Sequence, residues 1–180
     1  MQNRLIINIL RFIGLLFLQV LVIDNIRLGY YIHPCIYVLF IFLLPFNIEK
    51  WQLLLLGFIS GFAVDLFQGT PGLNAAATVF LAFVRPFVIN IMTRRKEISP
   101  NDEPSINNLG ISGFFVYSLL LLAIHNIVLF MLEAFSFKLI VLVITQTLIS
   151  VFSSALLILI VVLLFKNSNK KIIYLKKSQL

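Results

Sequence analysis

The sequence predicts an all-α integral membrane protein, a six-transmembrane-helix bundle with both termini in the cytoplasm. Three observations predict it. The 180 residues are 61% hydrophobic and only 12% charged, with a mean hydropathy of +1.05, whereas a soluble domain carries about 25% charged residues. Six apolar segments, at 5–23, 32–46, 51–67, 73–92, 111–132 and 139–165, follow one another with polar breaks between them. The basic residues gather at the ends of those segments, as topology signals do. So little charge cannot cover a water-soluble fold, and disorder is excluded because disordered chains are apolar-poor and charge-rich. The net charge of +7 therefore reads as membrane anchoring and not as a nucleic-acid surface.

Taken in order, the first segment follows Arg4 and contains Arg11, but no small-x-small cleavage motif comes after it, so it reads as a retained helix. The second and third segments have only 15 and 17 residues, against the ~20 needed to span. Tyr30, Tyr31 and Trp51 beside them read as interfacial aromatics that complete each span, with Pro45 and Asn47 marking the turn between. A re-entrant pair is the alternative. The fourth, fifth and sixth segments are long enough to span. Residues 93–110 form a polar cytoplasmic loop, and residues 166–180 a basic cytoplasmic tail suited to anionic membrane lipid.

Orientation follows from charge. With the N-terminus inside, ten basic residues (Arg4, Lys50, Arg94, Arg95, Lys96 and the tail's Lys166, Lys170, Lys171, Lys176 and Lys177) face the cytoplasm, against Arg27 and Lys138 outside. Arg94, Arg95, Lys96, Lys170 and Lys171 are the principal topology anchors. The single cysteine, Cys35, permits no internal disulfide, and no internal repeat points to an inverted-repeat transporter.

Polar groups inside a span are costly, so each needs an account. The candidates are Arg11, Gln19, Asp65, Asn74, Thr78, Arg85, His125, Gln146, Ser150, Ser153 and Ser154. Gly57, Gly61 and Asp65 lie four apart on one helical face. The two glycines permit close helix packing, which aims Asp65 into the seam. At 1.5 Å per residue, Asp65 lies within ~5 Å of the outer edge, His125 ~12 Å down and Arg85 ~20 Å down. An Asp65–Arg85 ion pair is thus out of reach. Arg85 is expected to snorkel towards headgroups or to bond backbone freed by Pro86. Gln19, Asp65, Asn74, His125 and Gln146 form a polar outer half, either knitting the bundle together or lining a small-molecule pocket. No metal-ligand spacing or nucleophile motif is present, so neither a cofactor nor an enzyme is predicted.

The most distinctive string is Asp65-Leu66-Phe67-Gln68-Gly69-Thr70-Pro71-Gly72-Leu73-Asn74. Gly69 and Gly72 supply permissive backbone angles and Pro71 stiffens the bend. The carboxylate of Asp65 can accept from the loop N–H groups or from the start of the next helix. This string resembles the signature of the MreD family of rod-shape-determining membrane proteins. Ile32-His33-Pro34, the Leu43-Leu44-Pro45-Phe46 turn, Ala82-Phe83-Val84-Arg85-Pro86-Phe87 and His125-Asn126 extend the likeness, as do the length and the number of apolar segments. Many members carry a further apolar residue after the position of Pro71. The resemblance implies a non-enzymatic scaffold of the bacterial inner membrane. Such a scaffold binds MreC and works with MreB, RodA and a penicillin-binding transpeptidase in lateral peptidoglycan synthesis and cell shape. It also implies a fold similar to the six-helix substrate-binding subunits of energy-coupling-factor vitamin transporters, which keeps a transporter subunit with an outward pocket as the alternative.

Overall fold

A computed structural model describes the backbone of residues 2–25, 33–93, 102–135 and 139–177, and side chains between residues 6 and 162 of those ranges. The described residues are helical and irregular, with no strand among them. Helix α1 (Gln2–Phe17) continues into a π-helical turn, Leu18–Ile23. It is followed by α2 (Leu39–Phe42), α3 (Lys50–Gln68), α4 (Leu73–Thr93), α5 (Ile106–Leu109), α6 (Ile111–Ala134) and α7 (Ile140–Lys177). Five helical stretches are long and apolar enough to cross a membrane: Ile6–Ile23, Lys50–Gln68, Leu73–Thr93, Ile111–Ala134 and Ile140–Val162.

The exterior explains why these helices are so apolar throughout. Phe58, Phe62 and Leu66 on α3, Phe83, Phe87 and Ile91 on α4, and Leu148, Phe152 and Leu156 on α7 all point outward and are exposed. Each set repeats every four residues, so each is a continuous stripe along one helix face. Water-soluble monomers rarely expose apolar stripes of this extent, and the chain is a multi-pass membrane protein. In hydrocarbon, apolar burial drives no association, so close packing and polar bonds must hold the bundle. Helix α3 lies against α4, and α6 packs between α4 and α7.

The closest packing is at the α3–α4 seam. A Cβ added at Gly61 would lie 2.5 Å from the carbonyl oxygen of Asn74 and 2.6 Å from the Cα of Ala75; one at Gly57 would meet the Cβ of Ala82 at 3.0 Å. Backbone touches backbone there, an approach that any side chain at Gly61 would block.

The second predicted span is not a transmembrane helix. Between 33 and 49 the only helix is the four-residue α2. Nevertheless the chain must return through the bundle here. The side-chain amide of Gln68 donates to Asp24 at 3.0 Å, so α1 and α3 finish at the same end, and α3 must begin at the other. Residue 34 meets Gln19, while Phe46 donates to the carbonyl of Asp102, next to the Arg11–Glu103 ion pair. Gln19 and Arg11 are eight residues apart on α1, ~12 Å along its axis. The segment therefore passes through the interior, buried from Pro34 to Phe42. At 15 residues, with Pro34 and Pro45 near its ends, it is too short and too interrupted for a spanning helix. Irregular backbone at such depth is tolerable only where protein surrounds it and pairs its polar groups.

Residues 94–101 of the expected cytoplasmic loop, with Arg94, Arg95 and Lys96, lie outside the described residues, as do Arg27, Tyr30, Tyr31 and Lys138. The side chains of Lys170 and Lys171 are likewise outside them, although the backbone of α7 continues as helix to Lys177 rather than ending at 165.

Candidate functional site

Apart from Gln146 and Ser153, the polar residues singled out above fall into two hydrogen-bonded groups and one ion pair. The first group is built on Asp65. The left-handed Gly69 (φ +68°) ends α3, and Gly72 (φ +86°) turns the chain into α4. This tight turn brings the buried carboxylate of Asp65 onto the first turn of α4. One oxygen accepts the Asn74 backbone N–H at 3.0 Å and the Asn74 side-chain amide at 3.1 Å; the other accepts the Ala75 N–H at 2.8 Å. The hydroxyl of Thr70 also donates to Asp65. A carboxylate from the preceding helix thus does what an N-cap side chain ordinarily does, at the positive end of the α4 dipole.

Asn74 passes the network on. Its amide also donates to Gln68 Oε1 at 2.9 Å, and Gln68 in turn donates to Asp24. Inward, Tyr37 Oη lies 2.9 Å from both Thr78 Oγ1 and His125 Nε2, and Thr78 donates to the Asn74 carbonyl at 2.7 Å. One assignment of protons satisfies the row: His125 Nε2–H donates to Tyr37, Tyr37 to Thr78 and Thr78 to the Asn74 carbonyl. The edge of the Tyr37 ring meets the imidazole, with centroids 5.7 Å apart. His125 is wholly buried, as expected of a mid-bundle residue.

The irregular segment accounts for the remaining polar residues. The Gln19 amide, on the π-helical turn, donates to the Pro34 carbonyl at 3.1 Å and to Asp24 at 2.7 Å, and its oxygen accepts the Ile36 N–H at 2.8 Å. Ser150 and Ser154 of α7 accept the N–H groups of His33 (3.1 Å) and Cys35 (2.9 Å). At the far end Arg85 donates to the carbonyls of Leu44 and Phe42, and its Nε to Tyr117 Oη at 3.0 Å; Tyr117 in turn donates to the Phe42 carbonyl at 3.1 Å. Arg85 is only 1% exposed, so it does not snorkel, and the backbone it bonds belongs to another segment rather than to the neighbourhood of Pro86. Asp65 and Arg85 do not pair.

Arg11 forms the separate ion pair, with its guanidinium 2.6 Å from Glu103. That contact ties α1 to the loop that precedes α5. Gln146 is buried on α7 but takes part in neither group. Ser153 turns back onto the Ser150 carbonyl at 3.0 Å.

A cavity of about 670 Å³ opens at the Asp65 end, with Gln19, Asp24, Gln68, Thr70, Asn74 and Glu133 contributing its polar lining and Phe67 part of its apolar wall. Its position corrects the expected pocket, because Asp65, His125 and Gln146 are not on its wall. Asp65 and His125 are spent on the N–H groups of α4 and on Tyr37 instead. Sequence reasoning missed Tyr37, Tyr117, Asp24 and Gln68. Two of these are tyrosines inside apolar runs, where hydropathy counts the ring and overlooks the hydroxyl. The other two sit at helix ends, where polar residues are ordinary. No protein-family model matches the chain, and no curated protein or solved structure does either.

Proposed function

We propose that this chain is a non-enzymatic membrane scaffold of the MreD type, working with MreC in the cell-elongation complex of the bacterial inner membrane. The proposal includes an N-in, C-in topology with the Asp65 turn on the outer side. In it the irregular segment makes the second of six crossings. The observation that carries the functional reading is how the intramembrane polar groups are used. Gln19, Arg85, Ser150 and Ser154 each bond backbone of the irregular segment, and Asp65 bonds the first backbone N–H groups of α4. They are holding a shape, and a shape held at such cost is what a docking surface needs. The likeness of the 65–74 string and of its flanking motifs to MreD supplies the identity of the partner. The large apolar residues exposed at the turn are Leu66 and Phe67, while Asp65 is buried.

The experiment is affinity purification of the tagged chain with MreC from the native membrane, followed by protein identification. The expected result is co-purification of MreC, reduced by Phe67→Ala at unchanged protein level and accompanied by rounded cells. Undiminished MreC recovery and rod-shaped cells for both Phe67→Ala and Leu66→Ala would remove the turn from the interface. Failure of the wild-type chain to bring down MreC would sink the reading itself.

The cavity favours a second reading, a substrate-binding subunit of a vitamin or lipid transporter. Its volume lies within the ~300–1,000 Å³ typical of small-molecule sites. Against that, the amides of Gln19 and Asn74 on its wall are already engaged. A small molecule released on denaturing gently purified protein would favour this second reading.

A further inference from the structure

A second hollow lies at the opposite end, between α3 and α4, and none of the hydrogen-bonded polar groups described above lines it. It has a volume of about 240 Å³ and is lined by Leu53, Leu54, Ala82, Phe83, Pro86 and Phe87, with Lys50 and Asn90 at its edge. It sits on the Lys50 side of the Gly57–Ala82 contact. Phe83 and Phe87 are exposed, so the groove opens onto the outer surface of the bundle. Pro86 has no N–H to offer the carbonyl of Ala82, which loses its usual helical donor on the groove wall.

The surroundings identify the depth. Trp51 is largely exposed and donates from its indole nitrogen to Glu49, the arrangement of an aromatic at a membrane–water boundary. Lys50 at the same level is exposed, and Asn90 is exposed across from it. The groove therefore begins at the interface and runs into the hydrocarbon. It is smaller than a typical small-molecule pocket and nearly all apolar, so a hydrocarbon chain suits it and a polar solute does not.

We infer that this groove binds an anionic phospholipid, with one acyl chain against Leu53, Leu54, Phe83 and Phe87 and the phosphate at Lys50 and Asn90. Charge complementarity selects the anionic class. Glu49, the acid next to Lys50 in the sequence, is held by Trp51, the first turn of α3 has no side-chain cap to satisfy its N–H groups, and Thr93 is followed in the sequence by Arg94-Arg95-Lys96. Basic sites between transmembrane helices are suited to acidic headgroups. The inference is independent of the scaffold reading.

The test is native mass spectrometry of protein released from nanodiscs of equal phosphatidylglycerol and phosphatidylcholine. Wild-type protein is expected to retain phosphatidylglycerol preferentially. Lys50→Gln should lower that retention about fivefold, the effect of one basic residue near an anionic surface. Leu54→Trp, which fills the groove, should release both lipids, whereas Ile91→Trp, on the exposed face of α4, should behave as wild type. Equal retention of the two lipids, or an unchanged Lys50→Gln, would overturn the inference. So would a protein dimer that Leu54→Trp dissociates, since the groove would then be a helix interface.

Discussion

The carboxylate of Asp65, in the last turn of α3, accepts the backbone N–H of Ala75 in the first turn of α4 at 2.8 Å. A single acid thereby fixes the angle between two helices that are also in backbone contact at Gly61. Removing it leaves two buried N–H groups of α4 unpaired. Asp65→Ala is expected to destabilise the protein by about 2–3 kcal/mol, because the lost bonds are charge-assisted. Asp65→Asn keeps one acceptor oxygen and should cost less. Thermal unfolding in detergent gives the ranking. Equal midpoints for wild type and Asp65→Ala would show that the cap contributes nothing.

The glycines of α3 should differ sharply in tolerance. Gly61→Ala places a Cβ 2.5–2.7 Å from α4 backbone, which cannot yield without separating the helices. A loss of about 3 kcal/mol is expected. Gly57→Ala meets its nearest neighbour, the Ala82 Cβ, at 3.0 Å and should be milder. Gly14→Ala meets nothing within 4 Å and should be neutral or slightly stabilising, since alanine is the better helix former. The order of the three unfolding midpoints tests the packing, and a Gly61→Ala protein as stable as wild type would contradict it.

Arg85 and Tyr117 should act as one unit. Tyr117→Phe removes the bonds to Arg85 and to the Phe42 carbonyl. Side-chain hydrogen bonds inside membranes are worth about 0.6 kcal/mol on average and up to ~1.7, so the single variant should lie in that range. Arg85→Met strands the Leu44 carbonyl and leaves that of Phe42 to Tyr117 alone, and should cost more. The double variant should cost less than the sum of the singles. Strict additivity in a double-mutant cycle would show that the two residues act separately.

Cys35 offers a direct probe of the irregular segment. It is the sole cysteine, 5% exposed, and its N–H is held by Ser154. Modification by a membrane-permeant maleimide is expected to be slow in the wild type. It should be several-fold faster in Ser154→Ala and in Gln19→Leu, which release the backbone on either side. An unchanged labelling rate in both would mean that these side chains do not hold the segment in place.

Much of the architecture was legible from residues alone, for identifiable reasons. Four apolar stretches were long enough to span and a fifth, 51–67, was completed by the aromatic at its end; all five are helical, with bounds within a few residues of those expected except that α7 runs on to Lys177. The Asp65–Gly72 turn was legible because Gly69 and Gly72 adopt backbone angles that other residues avoid. The Gly57–Gly61 spacing announced close packing, because small residues four apart clear one face of a helix.

The segment at 32–46 was the failure. Its hydropathy is that of a helix, yet among its described residues, 33–46, only four form one. Hydropathy measures side chains, whereas the state of a buried backbone depends on what its N–H and C=O groups can bond. Here the partners are Gln19, Arg85, Tyr117, Ser150 and Ser154, brought from α1, α4, α6 and α7. No local pattern in residues 32–46 contains them. Composition and spacing determined that the chain is a membrane bundle, which helices are long, and where the tight turn falls. Tertiary structure alone decided that the buried polar residues of four helices serve one unwound segment, because a backbone unpaired within its own segment can be satisfied only by groups distant in sequence.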